Sequence, residues 1–193
     1  MKTNDFDRIQ DLSEFKLPRN FRGRPAIYVQ LWWLIQCTIF RLSPQFAYGF
    51  RRFLLRLFGA SIGKNVLIRP TAKVTYPWKV SIGENTWIGD DAVIYSLGEV
   101  TIGSNTCISQ LSYICAGDHD YTLRDFPIRS RTVMIGNEVW IAAGVFIAPG
   151  VSIGNGTVIG AVSSVFSDMP EKSLCYGSPC KVIRARISNA SQQ

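Results

Sequence analysis

Between Ile135 and Gly160 the chain reads IGNEVW IAAGVF IAPGVS IGNGTV IG, with isoleucine at every sixth place (Ile135, Ile141, Ile147, Ile153, Ile159). The spacing continues to Val165 and back through three earlier trios: Ile62, Ile68, Val74; Ile82, Ile88, Ile94; and Ile102, Ile108, Ile114. Small or β-branched residues recur four places on, among them Val66, Ala72, Thr86, Ala92, Thr106, Ser112, Val139 and Val145. Neither the 3.6-residue period of a helix nor the two-residue period of a strand produces this pattern. Six residues make one short strand and a corner, so three repeats make a triangular coil whose aliphatic side chain points inward, and each coil buries its neighbour. Glycine follows the aliphatic residue at Gly63, Gly83, Gly89, Gly103, Gly136, Gly154 and Gly160, where the corner is tight. The expected fold is mainly β, a parallel β-helix of about five coils with a helical N-terminal region.

Breaks in the period locate the interruptions. Two extra residues enter at Pro77 and Trp78 and two more near Leu97 and Gly98, which read as small bulges. Fifteen extra residues separate Ile114 from Ile135, and a long excursion from a rigid scaffold is a common place for function. The chain therefore divides into an N-terminal helical cap region (1–60), the repeat prism (61–167) with an excursion at 116–132, and a C-terminal segment (168–193) ending in a solvated tail from 188.

Ahead of the repeats, residues 26–40 are strongly apolar and include Ile27, Trp32 and Trp33, yet fall short of the roughly 20 residues that a membrane span needs. Ser43 and Pro44 read as the N-cap and first position of a second helix that Gly59 ends. On it Phe46, Phe50, Phe53, Leu54 and Leu57 share one face, with Arg51, Arg52 and Arg56 elsewhere around the wheel. Two roles stay open for this region: a cap over the Ile62 end of the prism, or a basic and aromatic anchor on a membrane surface. The first twenty residues lack the apolar core of a signal peptide, and five cysteines without a C-x-x-C pair read as reduced thiols. Both point to a cytoplasmic protein, with any peripheral contact at the inner face of the membrane.

A net charge of +7 favours anionic partners. The basic residues are scattered and form no nucleic-acid recognition motif, so a phosphorylated cofactor or an anionic lipid surface fits better than nucleic acid. The single histidine, His119, lies in the excursion within AGDHDY (116–121), and an imidazole can take a proton from a hydroxyl nucleophile near neutral pH. Asp118 and Asp120 are candidates to orient it. One histidine cannot build a three-histidine zinc site, and the cysteine spacing offers no substitute, so no metal is expected. Cys115, directly after the inward Ile114, reads as coil wall rather than nucleophile.

The repeats together with Gly117–Asp120, Asn137–Ile141, Pro149–Gly154 and Gly177–Pro179 resemble the hexapeptide acetyltransferases. Within these, RRFLLRLFGA (51–60), Pro77-Trp78, Ile108-Ser109-Gln110 and His119-Asp120-Tyr121 resemble the colanic-acid type O-acetyltransferases of exopolysaccharide synthesis, over roughly residues 26–186. The resemblance implies a left-handed coil, a homotrimer with sites between subunits, and acetyl-CoA as co-substrate. It implies that His119 is the base for direct transfer to a sugar or lipid-linked saccharide. Trp140 would flank the pantetheine arm, the Ala143 amide would face the thioester oxyanion, and Ala161 would line the cofactor groove. Lys172, Pro179 and Arg184 fall where the family meets adenine and phosphates. Galactoside acetyltransferases carry an acceptor-binding Asn where this chain has Gly89, so acceptor contacts are sought instead at Asp90, Asp91, Tyr95, Gln110, Asp120 and Tyr121, with Tyr121 or Phe126 stacking on a sugar. The alternatives are a xenobiotic or amino-sugar N-acetyltransferase and a non-catalytic β-helix scaffold.

Overall fold

The computed structural model describes residues 8–187, so the expected solvated tail from 188 lies outside the described residues. Three sheets form the faces of a prism. The first face stacks Ser61–Ile62, Val80–Ile82, Val100–Ile102, Val133–Ile135 and Ser152–Ile153. The second stacks Leu67–Ile68, Trp87–Ile88, Cys107–Ile108, Trp140–Ile141, Val158–Ile159 and Ser173–Gly177. The third stacks Lys73–Val74, Val93–Tyr95, Tyr113–Cys115, Phe146–Ile147 and Ser164–Val165. Neighbouring strands are parallel and pair the repeat residues with one another, Ile68 with Ile88, Ile88 with Ile108, Ile108 with Ile141 and Ile141 with Ile159. Those side chains are buried and form one continuous core. Five coils are complete. A sixth begins at Met169, bridged to Ile153, and stops when Cys180–Ala185 turns back antiparallel on Ser173–Gly177.

The hydroxyls that enter this core are satisfied across coils. Thr86 Oγ1 donates to Gly103 O at 2.7 Å, Thr106 Oγ1 to Gly136 O at 2.8 Å and Ser112 Oγ to Ala142 O at 2.9 Å. The close stacking also explains the corner glycines: a Cβ on Gly103 would lie 2.5 Å from Gly136 O.

The N-terminal end poses a different problem. In later coils, carbonyls on this side accept from the preceding coil: Ile82 O from Gly63 N, Thr86 O from Leu67 N, Ile88 O from Arg69 N, Ile94 O from Thr75 N. The first coil has no predecessor, and its equivalent carbonyls, Ile62, Val66, Ile68 and Val74, would be stranded. Two helices supply the donors: α1 (Ala26–Ile35), which runs on into a π-helical turn over Gln36–Phe40, and α2 (Tyr48–Leu57). Arg56 donates to Ile62 O at 2.6 Å, Arg52 to Val66 O at 2.9 Å, Arg51 to Ile68 O at 2.6 Å, and Trp32 Nε1 to Val74 O at 2.8 Å. Trp33 Nε1 reaches Thr75 O at 3.3 Å, and Gln36 Oε1 accepts from Val74 N at 2.7 Å.

This corrects the reading of those arginines and of Trp32 as surface-anchor residues, because Arg51 and Trp32 are fully buried and all three arginines are bound to the first coil. The expected helix start is corrected as well: α2 begins at Tyr48, not at Ser43 and Pro44. Ser43 Oγ instead donates to Phe40 O at 2.6 Å, and Arg51 binds Ser43 Oγ at 2.8 Å, Pro44 O at 2.9 Å and Gln45 O at 2.6 Å. Gly59, at φ +90°, does end the helix. The Pro77–Trp78 insertion is a 3-10 turn, not a bulge, and Trp78 Nε1 there holds Arg22 O at 2.7 Å.

Replacing Arg51 by Met keeps the packing volume but strands four oxygen acceptors at the prism end. We expect Arg51→Met to lose about 2–4 kcal/mol of stability, read by urea denaturation; a change under about 0.5 kcal/mol would mean that the end carbonyls need no such cap.

Candidate active site

His119 lies on a hairpin in which Gly117–His119 pairs antiparallel with Ile128–Ser130. The hairpin leaves the prism at the corner between the third and first faces. Its root is Ala116 O, which accepts from Gly98 N at 2.9 Å and Arg131 N at 3.0 Å. Here the small insertion near Gly98 finds its purpose, since a Cβ on Gly98 would sit 2.7 Å from Arg131 O and 2.9 Å from Ala116 O.

His119 Nδ1 lies 2.9 Å from Phe126 O. A carbonyl only accepts, so Nδ1 carries the proton and Nε2 presents its lone pair, the tautomer that a general base needs. The Phe126 ring stacks on the imidazole at 4.3 Å and 8°, and Phe15 approaches at 6.1 Å. Phe126 holds a left-handed φ of +46°, a strained conformation for an aromatic residue. Its ring is therefore engaged with His119, which corrects the expectation that it stacks on a sugar.

The flanking carboxylates do not orient the imidazole either. Asp118 makes a two-point contact with Arg129 at 2.8 and 3.0 Å, and Asp120 meets the same guanidinium at 3.1 Å. Arg129 Nη2 also donates to His119 O at 3.2 Å, so one side chain ties both strands of the hairpin. Hydrogen bonds from Thr122, and secondarily Arg129, hold Asp120 below the usual carboxylate range. From the N-terminus, Asp11 N donates to Arg124 O at 2.8 Å, while Arg124 pairs with Asp11 at 3.5 Å and Glu14 at 3.4 Å. Ser13 hydrogen bonds keep Asp11 ionised, with its pKa lowered to about 2. Cys115 is buried, donates to Gly117 O at 3.1 Å, and is pushed up by that burial, away from thiolate chemistry.

A second set of candidates gathers on a different edge, the corner between the second and third faces. There Asp90, Gln110, Ala143 and Ala161 form a vertical column: Leu111 N donates to Asp90 O at 2.9 Å, Gly144 N to Gln110 O at 3.0 Å and Val162 N to Ala143 O at 2.9 Å. Ala142 N and Gly144 N are both used in coil-to-coil bonds, whereas the Ala143 N–H has no partner among the described residues. Beside the column, Trp140 is half exposed and its Nε1 donates to Ser109 Oγ at 3.1 Å. Below it a groove of about 590 Å³ is walled by Tyr48, Arg69, Trp87, Asp90, Ser109 and Gln110. Asp90 is already held by Arg69 at 2.8 Å and Thr71 at 3.1 Å, while Asp91 is exposed at φ +53°. Trp87, exposed in the groove, carries no motif that would single it out in the sequence; only the stacking of strands reveals it.

The remaining candidates divide in the same way. Tyr121 is exposed on the His119 hairpin, and Tyr95 sits half-buried on the third face against Tyr113. Pro179 turns the C-terminal hairpin near Gly177, whose N–H binds Ser163 Oγ at 3.0 Å, so it tops the Ala161 edge. Lys172 and Arg184 lie at the other end of that hairpin, since Arg184 pairs with Leu174 and Lys172 O accepts from Arg186 N at 2.7 Å. Lys181, opposite Tyr176, is the cation on Pro179's side.

His119 and the Trp140–Ala143–Ala161 column thus stand on two edges of one prism, separated by the third face. Six residues cross that face from Ala143 to Pro149, up to about 20 Å of chain.

Residues 132–163 match the bacterial transferase hexapeptide family (six repeats). The chain is 55% identical to a protein named as colanic acid biosynthesis acetyltransferase WcaF of Escherichia coli (strain K12), over 93% of this chain and 98% of that one. A maltose O-acetyltransferase structure from Clostridium difficile 630 superposes with a TM-score of 0.77 at 28% identity, covering 85% of this chain and 90% of that one. A galactoside acetyltransferase in complex with coenzyme A gives 0.78 at 28% identity, covering 89% and 85%.

Arg129 is the residue whose loss should loosen the hairpin without touching the prism. Arg129→Gln should speed hydrogen exchange at the Asp120 amide about 5-fold, since partly exposed charged hydrogen bonds are worth on the order of 1 kcal/mol. Unchanged exchange would show that the backbone pairing alone holds His119.

Proposed function

The chain belongs to the hexapeptide-repeat acetyltransferases and uses acetyl-CoA as its acetyl donor, and on that premise we propose that it O-acetylates a saccharide hydroxyl in exopolysaccharide or surface-glycan synthesis. Its 55% identity to a colanic acid biosynthesis acetyltransferase over nearly the whole of both chains supports this acceptor class, free or lipid-linked. The groove by Trp140 supports it further: exposed Trp87 offers a flat apolar surface for a sugar ring, and Asp90 and Gln110 offer acceptors for its hydroxyls.

In this mechanism His119 Nε2 removes the proton of the acceptor hydroxyl as its oxygen attacks the thioester carbonyl. The carbonyl oxygen gains the negative charge, and the free Ala143 N–H is the donor suited to it. Collapse of the tetrahedral intermediate breaks the carbon–sulfur bond, and His119 returns the proton to the departing CoA thiolate. No acyl-enzyme forms, in keeping with the buried, protonated Cys115. Trp140 and Ala161 wall the pantetheine arm, Pro179 and Lys181 stand on the same edge toward adenine and phosphates, and Lys172 and Arg184 lie across the second face from them.

The observation that carries this reading is the separation of His119 from the Trp140–Ala143–Ala161 edge by a whole face of the prism. A homotrimer resolves it, with the His119 hairpin of one subunit beside the column of the next and three equal sites around the axis.

His119→Ala should lower kcat by roughly 100-fold or more with acetyl-CoA binding retained, whereas Cys115→Ala should stay active and yield no acetylated cysteine by mass spectrometry. Shared sites make a sharper test. Trimers reassembled from equal amounts of inactive His119→Ala and groove-blocked Ala161→Trp chains should regain about a quarter of wild-type activity, because a quarter of interfaces join an intact histidine to an intact column. Sites contained in single chains would give none. A screen of saccharide hydroxyls against amine acceptors decides between O- and N-transfer.

A further inference from the structure

In α2 the usual orientation of an amphipathic helix is reversed. Its inward side carries Arg51, Leu54 and Leu55, and its arginines bind the first coil. Phe50, Phe53 and Leu57 share one stripe of the helix and face solvent at 40%, 58% and 60% exposure, and Phe46, in the turn just before it, at 82%. α1 repeats the arrangement: Val29 and Trp32 point in, and Ile27, Leu31 and Leu34 point out. Ile39 and Leu42, between the helices, are exposed as well. Single exposed apolar residues are ordinary, but nine on two helices and the connection between them are not. The inner sides of both helices are turned to the prism, α2 through its arginines on the first coil and α1 through Trp32 on Val74 O and Val29 against Tyr76 and Leu97, which leaves their outer sides to solvent.

The charge around this face selects its occupant. From Phe15 to Gly83 the chain has twelve Lys and Arg and no Asp or Glu. Arg24, just before α1, Arg41, between the helices, and Lys64 and Lys73, on the first coil, are exposed. A second copy meeting this face end to end would set cation against cation, while an anionic lipid surface complements both the apolar stripe and its rim. No helix among the described residues is long and apolar enough to cross a membrane. The helices are built to lie in the plane of the interface.

We propose that the outward sides of α1 and α2 form a docking surface for an anionic lipid bilayer. Phe46, Phe50, Phe53 and Leu57 enter the headgroup boundary, and Arg24 and Arg41 meet lipid phosphates. The inference does not depend on which hydroxyl is acetylated.

The test is flotation of the purified full chain with phosphatidylglycerol–phosphatidylcholine vesicles and with phosphatidylcholine alone. Binding is expected to the anionic vesicles, to weaken as salt rises, and to fall at least about 10-fold in Phe46→Ser/Phe53→Ser and in Arg24→Gln/Arg41→Gln. Both pairs are exposed, and the rise in Tm with acetyl-CoA, measured on the same samples, should persist. That second readout separates a failure of docking from a failure of the catalytic reading. No flotation with anionic vesicles, or flotation unchanged in the Phe pair, would overturn the proposal. So would dissociation of the trimer by Phe46→Ser/Phe53→Ser in light scattering, which would make the face a subunit contact instead.

Discussion

The open end of the first coil is the constraint on which the rest of this structure depends. A β-helix pairs each coil with the next, and wherever it starts it leaves a row of backbone groups without partners. Unsolved, that row is a template for end-to-end growth as well as an energetic cost. The chain meets it with side chains rather than with another strand. Arginine suits the task, because one planar guanidinium can serve several carbonyls at once, and Arg51 alone reaches Ile68 O, Ser43 Oγ, Pro44 O and Gln45 O. Committing the polar side of α2 inward leaves its phenylalanines facing out.

A rigid prism also dictates how chemistry is mounted on it. Side chains on the coils are locked in columns, so a proton-transfer group that must reach a substrate needs an element that leaves the prism. The His119 hairpin is that element. Ala116 O anchors its root, Arg129 ties its strands, and Asp11 and Arg124 fasten its tip to the N-terminal segment. Orientation of the imidazole falls to a backbone carbonyl, that of Phe126, whose own strained φ is held by the stacking of its ring on the histidine.

The prism was legible because inward isoleucines recur without regard to what surrounds them, and His119 because it is the lone imidazole of the chain. Direction was not legible. A helical wheel separates the phenylalanines of α2 from its arginines but does not say which side looks inward, and burial of apolar surface, the usual guide, was overridden here by unpaired carbonyls. Ser43 and Pro44 carry a helix-start pattern, yet Arg51 draws them into the preceding turn. Asp118 and Asp120 adjoin His119 in sequence, but a strand sends neighbouring side chains apart, and Arg129, eleven residues from Asp118, collects both. The role of Phe126 rests on a carbonyl direction, which no residue pattern encodes. Likewise Lys172 and Arg184 are close to Pro179 in sequence, but the hairpin carries them to the far edge of the second face.

The column at the second corner works as a graduated ruler. Successive coils are about 4.8 Å apart, so Ala143 and Ala161 mark adjacent divisions and Asp90 lies two divisions below Ala143. Any group moved along that edge shifts by whole divisions, since intermediate heights are denied by the ladder. Reach along this edge is therefore set in discrete steps, and finer adjustment is left to what projects sideways at a given height: bare backbone at Gly144, a branched chain at Leu111 or Val162.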